Sequence, residues 1–354
     1  MRIAHITYGF GIGGIETMLA NIAGEQSREH EVHIIVINDI VDKTLVGSLP
    51  SGVTLHLIGR RRGSRNPLPY LKMNMILRRI GPDVVHLHYA SIRRFIMSRD
   101  LRRKLCVTLH DMCTPVNSQW LHKCGPVFAI SDVVKEDIRH TKGLDAITVY
   151  NGINPAKISA KEEFEQHGQL EIVQVSRLMH EKKGQDILIK SIKALRDEGY
   201  DNVSLTFIGE GASREYLEDL VAQLGLEGKV EFLGNRSQEY VFGHLKDYDL
   251  FVQPSRFEGF GLTVAEAMAA RVPVLVSDIQ GPMEVVDYGR CGMAFKSDDV
   301  ADCARVLKSI IDNGYDEKMV ETAYRRVHKI FNVRETARRY VELYDKLVIS
   351  RQDA

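Results

Sequence analysis

Short apolar runs recur along this chain at regular intervals. Each is followed by a loop rich in Gly, Ser or Asn, and then by a stretch whose apolar positions fall three and four apart. The runs at 2–8, 32–37, 53–58, 83–88, 104–109, 127–130 and 146–150 predict buried strands. Helices are predicted at 15–26, 68–80 and 131–140, with a second basic helix between the fourth and fifth runs. Asn151-Gly152-Ile153-Asn154-Pro155 then breaks the alternation, because Asn-Gly favours a turn and proline ends regular structure. A polar segment, 157–169, leads to a second series of strands at 171–175, 204–208, 230–233, 249–252 and 272–276. Beyond Ser297 the pattern is helical, over 298–313, 316–330 and 333–349. The last of these is apolar on the face of Ala337, Tyr340, Val341, Tyr344 and Leu347. Strands alternating with helices at this spacing predict doubly wound, mainly parallel sheets. A length of 354 residues suits two such domains rather than one core. The expected division is 1–155, 156–330 and a terminal helical segment, 331–354.

The most informative stretch is Pro254-Ser-Arg-Phe-Glu-Gly-Phe-Gly-Leu-Thr-Val-Ala-Glu-Ala-Met-Ala-Ala270. It passes from a strand through Gly259 and Gly261 into strong helix formers. The backbone N–H groups of Phe260, Gly261, Leu262 and Thr263 would be free at the helix start, which with the helix dipole makes an anion site. Glu258 and Glu266 bracket that loop. Carboxylates near a phosphate site make sense where they accept hydrogen bonds from sugar or ribose hydroxyls. Glu-x7-Glu within EGFGLTVAEAMA resembles the signature of the retaining nucleotide-sugar glycosyltransferases of family 4, also called group 1.

That resemblance implies the GT-B fold: two Rossmann-like α/β domains facing across a cleft, with the C-terminal helix crossing back to the first. It implies transfer of a hexose-type sugar from a nucleotide diphosphate-sugar to an acceptor hydroxyl, with retention at the anomeric carbon. The departing diphosphate itself helps accept the proton. Ser176–Gly184, the loop after the first strand of the second domain, carries Arg177 followed by the adjacent Lys182 and Lys183. The family has Arg and then one Lys there to hold the diphosphate, so Arg177 matches and the Lys position is open between two. His110, at a strand end, is similar to a family histidine that faces the donor sugar. Gly13 and Gly14 fill the position of a Gly-Gly pair near the diphosphate, and Gly234, Asn235 and Arg236 that of the base contacts. The implied roles are catalytic for Glu258, His110, Arg177, Lys182 and Lys183. Donor binding falls to Glu258, Phe260, Gly261, Leu262, Thr263 and Glu266, and to the same cationic residues. His86 and His88 share a face; His86 reads as packing and His88 as an acceptor-side candidate.

Gly9, Gly11 and Gly14 also satisfy G-x-G-x-x-G, with Asp39 at the end of the next strand, so an NAD-dependent oxidoreductase is one alternative. A sugar-nucleotide epimerase is another. No G-x-S-x-G nucleophile motif is present. A metal is not expected, since cationic side chains and helix termini neutralise a diphosphate, and no tightly bound cofactor is expected either.

Charge refines the partner. Lys+Arg and Asp+Glu are equal at 47 each, but residues 1–150 hold 20 basic against 13 acidic. Thirteen basic residues lie within 60–104, against Asp83 and Asp100 alone. Such a patch suits an anionic membrane surface or a lipid-linked acceptor rather than nucleic acid. Five cysteines without a paired framework, no signal peptide and no long apolar run lead us to expect a cytoplasmic protein, peripheral at the inner membrane face. UDP-sugars are favoured as donors over GDP-mannose, in polysaccharide or glycolipid synthesis.

Overall fold

The computed structural model describes residues 1–11, 13–164 and 168–352, excepting the side chains of 351 and 352. Ile12 of the first glycine loop and residues 165–167 of the polar segment lie outside the described residues. The chain divides into two compact units, 1–153 with 331–354, and 154–330.

The first unit is built on a seven-stranded sheet: β1 (Arg2–Thr7), β2 (Glu31–Asn38), β3 (Val53–Arg60), β4 (Val84–Leu87), β5 (Leu105–Leu109), β6 (Val127–Ala129) and β7 (Ile147–Thr148). Its order is β3-β2-β1-β4-β5-β6-β7, with every pairing parallel. Parallel strands are covered on both faces, which is why β2 is buried from Val32 to Asn38 without alternation. The helix Gly14–Gln26 packs Met18, Leu19, Ile22 and Ala23 into this core.

The helix Val333–Gln352 belongs to the same unit. It buries Val333, Ala337, Tyr340, Leu343 and Tyr344. Val341, expected on that face, is only half-buried, and Leu343 takes its place. Both tyrosine hydroxyls find partners inside, as buried phenols require: Tyr344 lies 2.5 Å from His86 Nδ1 and Tyr340 2.9 Å from Thr108 Oγ1. The helix start presses on Gly152, where a Cβ would lie 2.4 Å from Thr336 Oγ1 and 2.6 Å from Val333 Cα. The Asn-Gly pair is therefore needed for close approach, not only for a turn.

The second unit has a six-stranded parallel sheet: β8 (Leu170–Val175), β9 (Val203–Ile208), β10 (Val230–Gly234), β11 (Leu250–Gln253), β12 (Val274–Ser277) and β13 (Met293–Phe295). The order is β10-β9-β8-β11-β12-β13. Amphipathic helices Gln185–Asp197 and Val300–Asn313 cover it with Ile187, Leu188, Ile192, Cys303 and Leu307.

Two expectations change. The second basic helix is a 3-10 turn, Ala90–Phe95, followed by a short helix, Arg99–Arg103, which Ser98 caps through Leu101 N. The strand β13 and the helix Gln238–His244 were not predicted, being too short to show a period.

Candidate active site

In the second unit the strand order reverses between β8 and β11, so the loops leaving these two neighbours form the crevice where ligands of open parallel sheets bind. These are the loops carrying Arg177, Lys182 and Lys183 on one side and Glu258 to Thr263 on the other. They are pressed together. Gly184 has φ +67°, and a Cβ there would lie 1.9 Å from the Pro254 carbonyl oxygen. Arg256 N donates to Lys182 O at 2.9 Å. The Arg256 guanidinium grips Asp186 at 2.8 and 3.1 Å, donates to His180 O at 2.7 Å and pairs with Asp298. Burial pushes the Asp186 carboxyl up, but the hydrogen bonds and charges of Arg256 and Lys190 together outweigh it and hold the group below its usual range. Sequence reasoning missed this clamp: its signal was an Arg inside the Pro254–Gly261 loop and an Asp just after Gly184.

The structure separates the two lysines. Lys183 Nζ is ion-paired with Glu258 Oε2, both side chains being largely buried. The cation and carboxylate singled out from different loops thus meet directly. Arg177 is exposed, while its carbonyl accepts from Gln185 Nε2 at 2.9 Å.

The helix Leu262–Ala269 opens on Gly261, whose φ of +118° turns the chain into the helix axis. Its first turn carries no acidic side chain. Phe260 is buried and anchors the loop. Gly281 lies under it, with a Cβ position 2.3 Å from Glu258 O. Ala265, Ala267 and Ala269 are buried, which lets the helix lie close to the sheet.

Glu266 is half-buried one turn into this helix, and its carboxyl has neither an ion partner nor a hydrogen bond among the described residues. Burial pushes it up to about 8. The folded state thus keeps a proton that the unfolded chain releases near 4.5, and stability should fall as pH rises from about 4.5 to about 8. Glu266→Gln should abolish that slope, raising the unfolding midpoint at pH 8.5 by the equivalent of about 1–3 kcal/mol and changing nothing at pH 4.5. Denaturation across this range checks it.

Gly234, Asn235 and Arg236 close β10, two strands from the crossover point. Gly234 has φ +70°, Asn235 and Arg236 are exposed, and Arg236 lies over the Tyr240 ring.

In the first unit the order reverses between β1 and β4. The loop after β1 carries Gly13, the N-cap of helix Gly14–Gln26, and Gly14. The carboxylate of Glu16 occupies this helix start, 2.6 Å from where a Gly13 Cβ would be. An anion would meet that charge here, in contrast to the helix at Leu262. None of Gly9, Gly11 and Gly13 has positive φ. Asp39 is exposed at the end of β2.

His110 follows β5. Its Nε2 lies 3.0 Å from His88 Nδ1, and its Nδ1 is buried without a partner. Burial pulls it down to about 3. His88 is fully enclosed between His110 and His5, so it cannot meet an acceptor, contrary to expectation. His86 does pack internally, between Tyr344 and Thr108.

Among the described residues, His5, His86 and His88 are the one group with ligand atoms close enough to hold a metal ion. Asp247-x-Asp249 is no ligand pair, since Asp249 accepts from Glu171 N at 2.9 Å and faces Lys161, before β11 begins. All five cysteines are free thiols, four of them buried. Among the described residues no helix is long and apolar enough to cross a membrane.

Two Rossmann-like units, each with its own parallel sheet and crossover point, define the GT-B class of glycosyltransferases. The description "Glycosyltransferase Family 4" matches residues 12–157 and "Glycosyl transferases group 1" matches residues 156–326. The chain belongs to this family. An uncharacterised glycosyltransferase of Methanocaldococcus jannaschii is 30% identical over 62% of this chain and 59% of its own length. The phosphatidyl-myo-inositol mannosyltransferase of Mycobacterium leprae is 26% identical over 65% of this chain and 64% of its own. The chain thus spans about three fifths of these relatives. HepE of Anabaena, solved in complex with UDP and glucose, shares the fold with a TM-score of 0.84 and 20% identity, covering 98% of this chain and 100% of that one.

Proposed function

We propose that this protein transfers a hexose-type sugar from a nucleotide diphosphate-sugar, a UDP-sugar first, to an acceptor hydroxyl, with retention at the anomeric carbon. The observation that carries this reading is the β8/β11 crevice. It juxtaposes an acid-free helix N-terminus, the Lys183–Glu258 pair and the unpaired Glu266 carboxyl. Such a set matches a ligand with both phosphate and hydroxyl groups.

Each residue then has a task. Arg177 and Lys183 hold the diphosphate and stabilise it as it leaves, which favours Lys183 over Lys182. Gly261, Leu262 and Thr263 offer backbone N–H groups to phosphate, and Phe260 holds their loop in place. Glu258 exchanges its lysine for hydroxyls of the transferred sugar, and Glu266 accepts from the ribose hydroxyls. His110 accepts from a sugar hydroxyl, and Gly234, Asn235 and Arg236 lie against the base. The leaving diphosphate takes up the acceptor's proton, so no protein nucleophile is needed and no metal is required. Nothing favours the epimerase or NAD alternatives, because neither explains the Glu258–Glu266 pair.

UDP-glucose, UDP-galactose, UDP-N-acetylglucosamine and GDP-mannose, each incubated with protein and followed by proton NMR, test the reading. Slow consumption of one donor, releasing sugar first as the α-anomer and unaffected by EDTA, is expected. Conversion of donor to an epimer, or the β-anomer as first product, would reject it.

The acceptor side is proposed to work at an anionic lipid surface. The helix Leu68–Ile80 buries Met73, Leu77 and Ile80, yet exposes Leu68, Leu71 and Met75 beside Lys72, Arg78 and Arg79. Apolar and cationic groups on one outward face complement an anionic bilayer. Vesicles containing phosphatidylglycerol should retain the protein at low salt, and Leu68→Glu with Met75→Glu should release it. Equal retention by neutral vesicles would reject the electrostatic part of this reading.

A further inference from the structure

A line of neutral side chains runs through the first unit from the helix Gly14–Gln26 to the end of β5. Gln26 Oε1 lies 2.8 Å from His5 Nε2, and His5 Nδ1 lies 3.1 Å from His88 Nε2. His88 Nδ1 lies 3.0 Å from His110 Nε2. Gln26, His5 and His88 are buried, and the line stops at His110 Nδ1, itself buried and without a partner.

A neutral imidazole has one N–H and one bare nitrogen. Rings joined nitrogen to nitrogen must therefore all point their N–H groups the same way along the line. Only two arrangements exist, and the end group selects between them. With the Gln26 amide turned so that its carbonyl oxygen faces His5, that oxygen can only accept, so His5 Nε2–H donates to it; the opposite amide orientation would give the reverse order. His88 Nε2–H then donates to His5 Nδ1, and His110 Nε2–H to His88 Nδ1. His110 is left with Nδ1 as a bare acceptor. Burial keeps all three rings neutral at pH 7: His5 is pulled down to about 4, His110 to about 3, and His88 well below its ordinary value.

We infer that Gln26, acting through His5 and His88, fixes the tautomer of His110 so that its Nδ1 presents a lone pair to a substrate hydroxyl. Gln26, His5 and His88 are positioning residues; only His110 meets the ligand. The part played by the ligand rests on the sugar-transfer reading above, whereas the tautomer assignment stands without it. Two buried polar atoms of this line lack a partner, Gln26 Nε2 at one end and His110 Nδ1 at the other. Of the four residues only His110 is not itself buried, which makes its end the place for a hydrogen-bond donor. A metal held by His5, His86 and His88 is the competing use of the same rings. Both His86 nitrogens, however, are already bonded, to Tyr344 OH and Thr108 Oγ1.

The test is two-bond proton–nitrogen NMR of full-length protein labelled with 15N-histidine, with His110 assigned by loss of its signals in His110→Asn. The wild type should show His110 only as the tautomer protonated at Nε2. Gln26→Glu, which keeps an acceptor, should show the same. Gln26→Met and His88→Phe, close in volume, should show both tautomers. A wild type protonated at Nδ1, or one unchanged tautomer in both disrupting variants, would overturn the inference. So would stoichiometric zinc in the purified protein whose removal shifts these signals. In the donor assay, Gln26→Met should lower kcat by about tenfold or more with KM unchanged, and Gln26→Glu should restore it. If the tautomers respond but kcat does not, the line is upheld and the sugar-binding role of His110 is rejected.

Discussion

Arg177→Ala should lower kcat by about 10²–10³-fold while leaving the fold intact. Its guanidinium is exposed and makes no ion pair among the described residues, so removal costs the ligand-free protein nothing beyond about 0.5 kcal/mol. A cation stabilising a departing diphosphate acts more strongly in the transition state than on bound donor, so kcat should fall more than KM rises. Lys183→Ala should cost activity on the same scale, but less cleanly. It strands Glu258 half-enclosed without its partner, and the unfolding midpoint should fall as well. Steady-state donor turnover and a denaturation curve for each variant separate the two effects. Normal turnover by both would remove the diphosphate role from this loop.

Gly184→Ala should do the opposite kind of damage, destabilising the second unit by about 2–4 kcal/mol. Its φ of +67° disfavours a side chain, and the added Cβ would meet the Pro254 carbonyl, which is backbone and cannot rotate away. Relief requires the β8 and β11 loops to part. That movement pulls Lys183 from Glu258 and strains the Arg256 bonds to Lys182 O and His180 O. Nucleotide binding should therefore be lost along with stability. Gly199→Ala is the control: its φ is +92°, but nothing lies within 4 Å of the new Cβ, so only the conformational cost of about 1 kcal/mol should appear. Equal losses in the two variants would mean that the contact between the loops contributes nothing.

The sequence announced the elements that repeat and missed those that do not. Short, mainly apolar runs bounded by turn residues made β1, β2, β8 and β9 legible to within a residue or two, although Ser204 and Thr206 interrupt β9. The strand β13, three residues long, and the helix Gln238–His244 leave no period to read. The terminal helix was visible as an apolar face, yet Leu343 replaced Val341 because helix rotation depends on what Tyr340 and Tyr344 bond, not on the pattern alone. The strand order, and hence the coming together of the loops after β8 and β11, is a long-range property. The alternation of elements suggested a doubly wound sheet but gave no order for its strands. Arg256 shows the limit at the candidate site: within the motif it looks like one more surface charge, and only its grip on Asp186 reveals a clamp. The histidines show it in reverse. His88 looked available at a strand end, and is enclosed because β1 and β5, which flank β4, each supply a ring against it.

In the proposed function the β8/β11 crevice binds a nucleoside diphosphate. Thermal unfolding in the presence of UDP, GDP, ADP or NAD, for wild type and Arg177→Ala, tests it most directly. UDP should raise the midpoint of the wild type, the rise should disappear in Arg177→Ala, and NAD should have no effect. A rise with NAD alone, or one with UDP that Arg177→Ala leaves unchanged, would contradict it.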